Sequence, residues 1–287
     1  MSGLIRRNLM IFFKDKATAF FSLFGALIAL ILYVFFLGDV MAQGLQEQLG
    51  DSAKPFVFSW VFSGMISIVS FTATFSAFSA MIADKVYKME KDLIASPLPR
   101  WKITLSYLIA AIVIGIVMSI IVLIIALIYL ETLGMEPYSF LTILKILGMI
   151  VISTLSNTAV LLVLSMFINS INTFAGFTAV FSASLGFFTG TYVQIGLLSK
   201  FMQGVVKFIP VSHSAVIFRK IMMQPFFDGP KFEGAPEALV TDLRKNLGVD
   251  FYAGSNLIPT WASILILLGV FIIFVGIAVM LRFKKKK

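Results

Sequence analysis

The chain has 287 residues, of which 59% are hydrophobic and only 13% charged. A soluble domain carries about 25% charged residues, so a large soluble domain is excluded, and with it a built-in nucleotide-binding domain. The net charge of +9 comes from basic residues that flank apolar stretches rather than from a nucleic-acid surface, and the lack of cysteine excludes a disulfide, a thiolate metal site and a cysteine nucleophile.

Six apolar stretches, near 17–37, 56–83, 103–130, 141–168, 171–197 and 257–281, fill more than half of the chain. A helix needs about 20 mostly apolar residues to cross a bilayer core, so the expected fold is an all-α membrane protein with six transmembrane helices in a single domain, 1–287. Lys and Arg placement sets the orientation. Arg6, Arg7, Lys14 and Lys16 precede the first span, Lys85, Lys88, Lys91, Arg100 and Lys102 lie between the second and third, and Arg282 and Lys284 to Lys287 follow the sixth. Positive charge marks the cytoplasmic side, so both termini are expected there.

Ahead of the first span, residues 1–16 read as an interface helix. Ile5, Leu9, Phe12 and Phe13 share one side and Arg6, Arg7 and Lys14 sit mostly elsewhere, toward lipid head groups. The first span is longer than the apolar core of a signal peptide and is expected to remain in the protein. Span two carries Ser59, Ser63, Ser67, Ser70 and Thr74 within about an 80° arc of a helix. Two readings stay open for this stripe: a weakly polar translocation path, or close packing by small residues.

The loop at 84–102 has Val86, Met89 and Leu93 at helical spacing, which predicts one short amphipathic helix with Asp84, Lys88, Lys91 and Asp92 in solvent, ended by Pro97 and Pro99. Span four holds Asn157, a polar group that requires a hydrogen-bond partner within the bundle, and Lys145 near its outer end. Span five repeats the hydroxyl pattern with Thr178, Ser182 and Thr189, and Gly186 and Gly190 form a G-x-x-x-G. Most of the 30 phenylalanines suit lipid-facing or core positions. The outer segment 198–256 contains two apolar pieces, 197–210 and 213–223, too short to span and suited to a re-entrant pair. They are followed by a small helix over 235–248 with Pro236 at its start, Leu239, Leu243 and Leu247 on one face and Gly248 at its stop. His213, the sole histidine, has no acidic cluster beside it, and no nucleophile–base–orienter set is present, so the chain itself is expected to be no enzyme.

Lys91 to Arg100, reading K-D-L-I-A-S-P-L-P-R, resembles the permease subunit of type-2 ATP-binding-cassette exporters through Leu93, Ile94, Ser96, Pro97 and Arg100. Ile209 to Arg219, reading I-P-V-S-H-S-A-V-I-F-R, resembles a second stretch of that family, with Ile209 and His213 as departures; the family's Gly-Thr pair near Lys88 and Met89 is absent. The resemblance implies an interface helix, six spans, a cytoplasmic coupling helix and an outer re-entrant helix pair. It implies a second permease copy, as homodimer or heterodimer, surrounding membrane lipids, and separate cytoplasmic ATPase subunits that bind ATP and Mg, with no cofactor in this chain and no nucleic-acid partner. The ATPase-coupling residues would be Asp84, Lys88, Glu90, Asp92, Pro97 and Arg100, and the translocation path would draw on Ser63, Ser67, Ser70, Thr74, Thr178 and Ser182. The expected function is export of an amphipathic, lipid-like, drug or peptide substrate. The alternatives are a non-transporting scaffold or sensor, and a secondary carrier, which needs ionisable residues inside its spans.

Overall fold

The structure is a computed structural model that describes residues 1–95, 99–233, 236–253 and 256–284. Pro97 and the lysines at 285–287 lie outside the described residues, as do the side chains of Glu90, Asp92 and Arg100.

The N-terminal helices are α1 (Ser2–Lys14), α2 (Lys16–Phe21), α3 (Phe24–Leu32) and α4 (Gly38–Leu49), the last two joined by a π turn at Tyr33–Leu37. Asp15 separates α1 from α2, and its carboxylate accepts from the Thr18 backbone N–H at 3.1 Å and from the Thr18 hydroxyl at 2.6 Å, an N-cap. After a short turn at Gly50–Ser52 come α5 (Ala53–Ala77) and α6 (Ser79–Val86). The run Phe24–Val86 is 63 residues long, about 95 Å if straight and roughly three bilayer cores, so it must fold back. It does so as an antiparallel pair. The Thr72 hydroxyl donates to the Ser22 carbonyl at 2.6 Å, Gly25 faces Ile68, and Gly38 faces Phe58.

The remaining elements are α7 (Met89–Ala95), α8 (Arg100–Thr132), α9 (Phe140–Phe167), α10 (Ile171–Phe188), α11 (Lys200–Val206), α12 (Pro210–Phe227), α13 (Glu237–Asn246), a two-residue hairpin β1 (Tyr252–Ala253) and β2 (Asn256–Leu257), and α14 (Thr260–Lys284). Among the described residues, five helical stretches are long and apolar enough to cross a membrane, or six with the pair α11 and α12, which is bent by 90°. This is an all-α membrane protein. α5 is its centre. All but one of its 25 residues are buried, and α3, α4, α8, α9, α10 and α12 pack around it.

The fifth apolar stretch does not run to 197 as a helix. α10 stops at Phe188 because Gly190 takes a φ of +67°, a left-handed conformation open to glycine, and the N–H groups of Thr191 and Tyr192 donate back to the Gly186 carbonyl at 2.7 and 3.0 Å. Tyr192 lies over Gly186 and donates to the Gly25 carbonyl at 3.0 Å. Gly186 and Gly190 therefore build a helix stop against α3 rather than a G-x-x-x-G contact between helices. The first apolar stretch errs in the other direction, with helix continuing through α4 to Leu49.

The first and last helices end on one side of the bundle. The Lys85 ammonium donates to the carbonyls of Ser165, Met166 and Ile168 at 2.9, 3.2 and 3.2 Å, which places the end of α9 beside the end of α6. The beginnings of α9 and α14 share a cleft at the far side, so α14 runs parallel to α9 and ends on the same side as α9.

That far side is closed by a cap of α13 and the β hairpin. Asp250 ties it down, bonding Lys220 of α12 at 3.0 Å and Arg244 of α13 at 2.7 Å. Burial pushes its carboxyl up, but the two cations outweigh burial and hold it below the usual carboxylate range. A carboxylate with a depressed folded pKa stabilises fully above its unfolded value near pH 4, and the contribution disappears as pH falls through the folded value. Asp250→Asn is expected to loosen the cap by about 2 kcal/mol, seen as faster hydrogen exchange in α13 at pH 7, with the difference from wild type vanishing on strong acidification.

Candidate functional site

The first part of the site is a buried junction where α1, α6 and α8 meet. Asp84, near the end of α6, has a side chain only 3% exposed. Arg7 of α1 grips it with both terminal nitrogens, at 2.6 and 2.7 Å, and the Tyr107 hydroxyl of α8 also donates to it. The bidentate fork is the strong form of this pair. The bond to Asp84 raises the Arg7 guanidinium above its ordinary value despite partial burial. Arg7 also donates to Asn8 at 3.2 Å, and Asn8 and Phe12 form the buried side of α1. Two expectations change here. Asp84 is not in solvent but buried at this junction, and Arg7 turns inward instead of toward head groups, because a carboxylate at the end of a membrane helix needs a cation.

The apolar stripe Val86, Met89 and Leu93 does not lie on one helix. α6 carries Val86 as the continuation of α5, a turn at Tyr87 and Lys88 intervenes, and α7 begins at Met89. Lys88 adopts a φ of 63°, uncommon for a non-glycine residue. This sharp corner leaves Val86, Tyr87 and Met89 exposed while Leu93 packs against the core. Lys88 and Lys91 are exposed beside them.

The hydroxyl stripe of α5 faces its own chain. Ser63 donates to the Trp60 carbonyl at 2.6 Å, and Thr74 to the Ser70 carbonyl at 2.6 Å. Ser67 donates to the Val211 carbonyl of α12 at 2.8 Å and shares a 2.7 Å bond with Ser214. Ser70 bonds Ser153 of α9 at 2.8 Å and accepts from Asn157 at 2.9 Å, which gives Asn157 its partner. Ser59 meets Tyr138 at 3.3 Å. All five are completely buried, so within this chain the packing reading describes them.

Thr178 and Ser182 are placed differently. They line an open cleft of about 490 Å³ between α3 and α10, together with Phe21, Phe24, Ile28 and Phe174. Its lining has hydroxyls but no charged residue. Around it α10 buries only Phe174, Leu185 and Gly186 of its 18 residues, and Phe35, Phe36, Phe177 and Val180 are exposed.

The family model of the ABC-2 type transporter matches residues 2–223, from α1 through most of α12. The chain belongs to the ABC-2 type transporter family. It is thus the membrane subunit of an ABC transporter, a multi-pass protein whose family works with an ATP-binding-cassette ATPase subunit. Comparison with curated proteins finds no significant match.

Two features of this ABC-2 transporter chain escaped the sequence reading. Arg219 of α12 is fully buried, its guanidinium 4.8 Å from the centre of the Trp60 ring, with one long bond of 3.5 Å to the Gly248 carbonyl. Its Nε and Nη2 have no hydrogen-bond partner among the described residues. Gly248, at a φ of +65°, leaves no room for a side chain between Ile195 and Arg219. Arg219 thereby pins α12 to α5 and to the cap, and the Trp60 indole N–H adds a 2.7 Å bond to the Leu247 carbonyl. His213 bridges the bent pair α11 and α12 to α14, through Ser263 at 3.0 Å and the Lys207 carbonyl at 2.8 Å. The sequence signal was the spacing of His213 and Arg219 on one apolar segment flanked by glycines, but it does not name their partners.

The junction makes a quantitative prediction. Arg7→Ala and Asp84→Asn should each lower thermal stability by about 2 kcal/mol, and the double variant should lose clearly less than the two together. Additive losses in a double-mutant cycle would contradict the pairing.

Proposed function

We propose that this chain is the permease of an ATP-driven exporter that moves an amphipathic substrate out of a prokaryotic cell, with hydrolysis performed by a separate ATPase that holds ATP and Mg. The observation that carries the reading is the uncharged, phenylalanine-rich cleft between α3 and α10 with Thr178 and Ser182 in its wall. A secondary carrier would need ionisable groups in such a place to bind and release an ion. Hydroxyls and aromatic rings suit a flexible apolar cargo, and a second copy of the chain facing this side would close the cleft into a path. Both termini are cytoplasmic in this reading, in keeping with the basic residues at 6–16 and 85–102.

The exposed corner of Val86, Tyr87 and Met89 is the surface offered to the ATPase, and Lys88, Glu90, Asp92, Pro97 and Arg100 are the further coupling residues of this reading. Asp84 acts behind that surface. It joins the corner to α1 and α8, so a push on α7 moves these elements as one body.

The test is transport by the complex in vesicles, together with its co-isolated ATPase. Ser182→Leu narrows the cleft and should leave folding and assembly intact while changing transport and substrate-stimulated ATP hydrolysis. Ser67→Leu should instead destabilise the chain by about 1–3 kcal/mol through overpacking. Normal transport by Ser182→Leu, or isolation of the intact chain with no ATPase, would contradict the proposal.

A further inference from the structure

A second cleft, of about 810 Å³, opens between α9, α12 and α14 on the side of the cap, away from the corner at α7. Its upper wall is polar, with Ser139, Thr142, Lys145, Lys220 and Asp228; its lower wall is apolar, with Met149, Ile152, Ile217 and Ile264. Trp261 and Phe140 are exposed at the first residues of α14 and α9. Aromatic rings in that position mark a membrane–water interface, so the cleft begins at head-group level and descends along acyl chains.

Lys145 is the unsatisfied group. It lies six residues beyond the cap residue Ser139, about 9 Å down the helix. It is exposed and has no hydrogen-bond or ion-pair partner among the described residues. The other charges of the cleft are engaged. Lys220 bonds Asp250 at 3.0 Å, and Gln224 donates to both oxygens of Asp228, at 2.8 and 2.9 Å. An ionisable group at membrane depth calls for a partner, and here the described residues supply none.

We infer that the cleft is a binding site for one phospholipid, its phosphodiester on Lys145 and an acyl chain along Met149, Ile152 and Ile264. The apolar lower wall selects a lipid over free phosphate, which would leave that wall empty. The head group is constrained as well. Asp228 shares the cleft and repels a second negative charge, whereas it attracts an ammonium, so phosphatidylethanolamine fits better than phosphatidylglycerol. This inference needs only the membrane placement of the chain and stands whether or not the export reading holds.

The full chain would be placed in nanodiscs containing phosphatidylethanolamine, phosphatidylglycerol and a diacylglycerol with the same acyl chains. Retained lipid is then read by native mass spectrometry. One phosphatidylethanolamine per chain is expected, in preference to both other lipids and undisplaced by inorganic phosphate. Lys145→Gln should reduce retention about tenfold, Lys145→Arg should keep it, and Asp228→Asn should erase the preference over phosphatidylglycerol. Lys54→Gln, which alters a surface pair with Asp39 elsewhere on the chain, should change nothing. Retention of diacylglycerol equal to that of phospholipid in the wild-type chain would overturn the site without relying on any variant. Retention by Lys145→Gln at the wild-type level, equal retention of the two phospholipids, or displacement by inorganic phosphate would overturn it too.

Discussion

A hydroxyl inside hydrocarbon has no water to bond, so it must find a partner within the protein. α5 carries five such groups along one arc and is buried on every side. Ser67 finds its partners on α12, Ser70 on α9, and Ser63 and Thr74 on carbonyls of their own helix. The bonds of Ser67 and Ser70 tie α5 to α12 and α9. The helix α12 packs against it where Ser67 and Ser214 meet, and Trp60 and Arg219 close the same contact one step farther along. At the other end Asp84 plays the equivalent part with a full charge, and the charge is answered by Arg7 and Tyr107.

Much of the fold was legible because length and hydropathy decide which segments can cross a bilayer. The helices of the bent pair α11 and α12, the small helix α13 and the helix α1 were also visible as short helical segments, since each is an apolar segment too short to span or a segment with one apolar face. Boundaries failed where a few residues outweigh hydropathy. Gly190 ends α10 nine residues before the apolar stretch does, and the corner at Lys88 divides a stripe whose spacing alone suggests one helix. The hydroxyl stripe could be seen but not assigned, because serine on a membrane helix suits a path and a packed interface equally until its neighbours are known. Asp84 was misplaced for a related reason. Nothing local in the sequence pairs it with Arg7, 77 positions away.

These contacts describe a line of rigid connection through the chain. The corner at α7 is held to α1 and α8 through Asp84, α6 continues into α5, and α5 is fixed to α12 and the cap through Ser67, Trp60 and Arg219. α10 packs on α5 through Phe174 and Phe181 but leaves most of its surface open, with the uncharged cleft along one side. In the proposed mechanism, a movement applied at the corner shifts this body against α10 and changes the width of that cleft. The buried ion pair makes such transmission possible, since a loose loop at this point would absorb the displacement.

The most direct measurement is a set of spin-label distances in the complex with its ATPase, with and without trapped nucleotide. Labels at the exposed positions Met10 of α1, Met89 of α7 and Val180 of α10 report on the two parts. The account predicts that the distance from Met10 to Met89 is unchanged by nucleotide while the distance from Met89 to Val180 shifts. A change between Met10 and Met89 as large as that between Met89 and Val180 would contradict it.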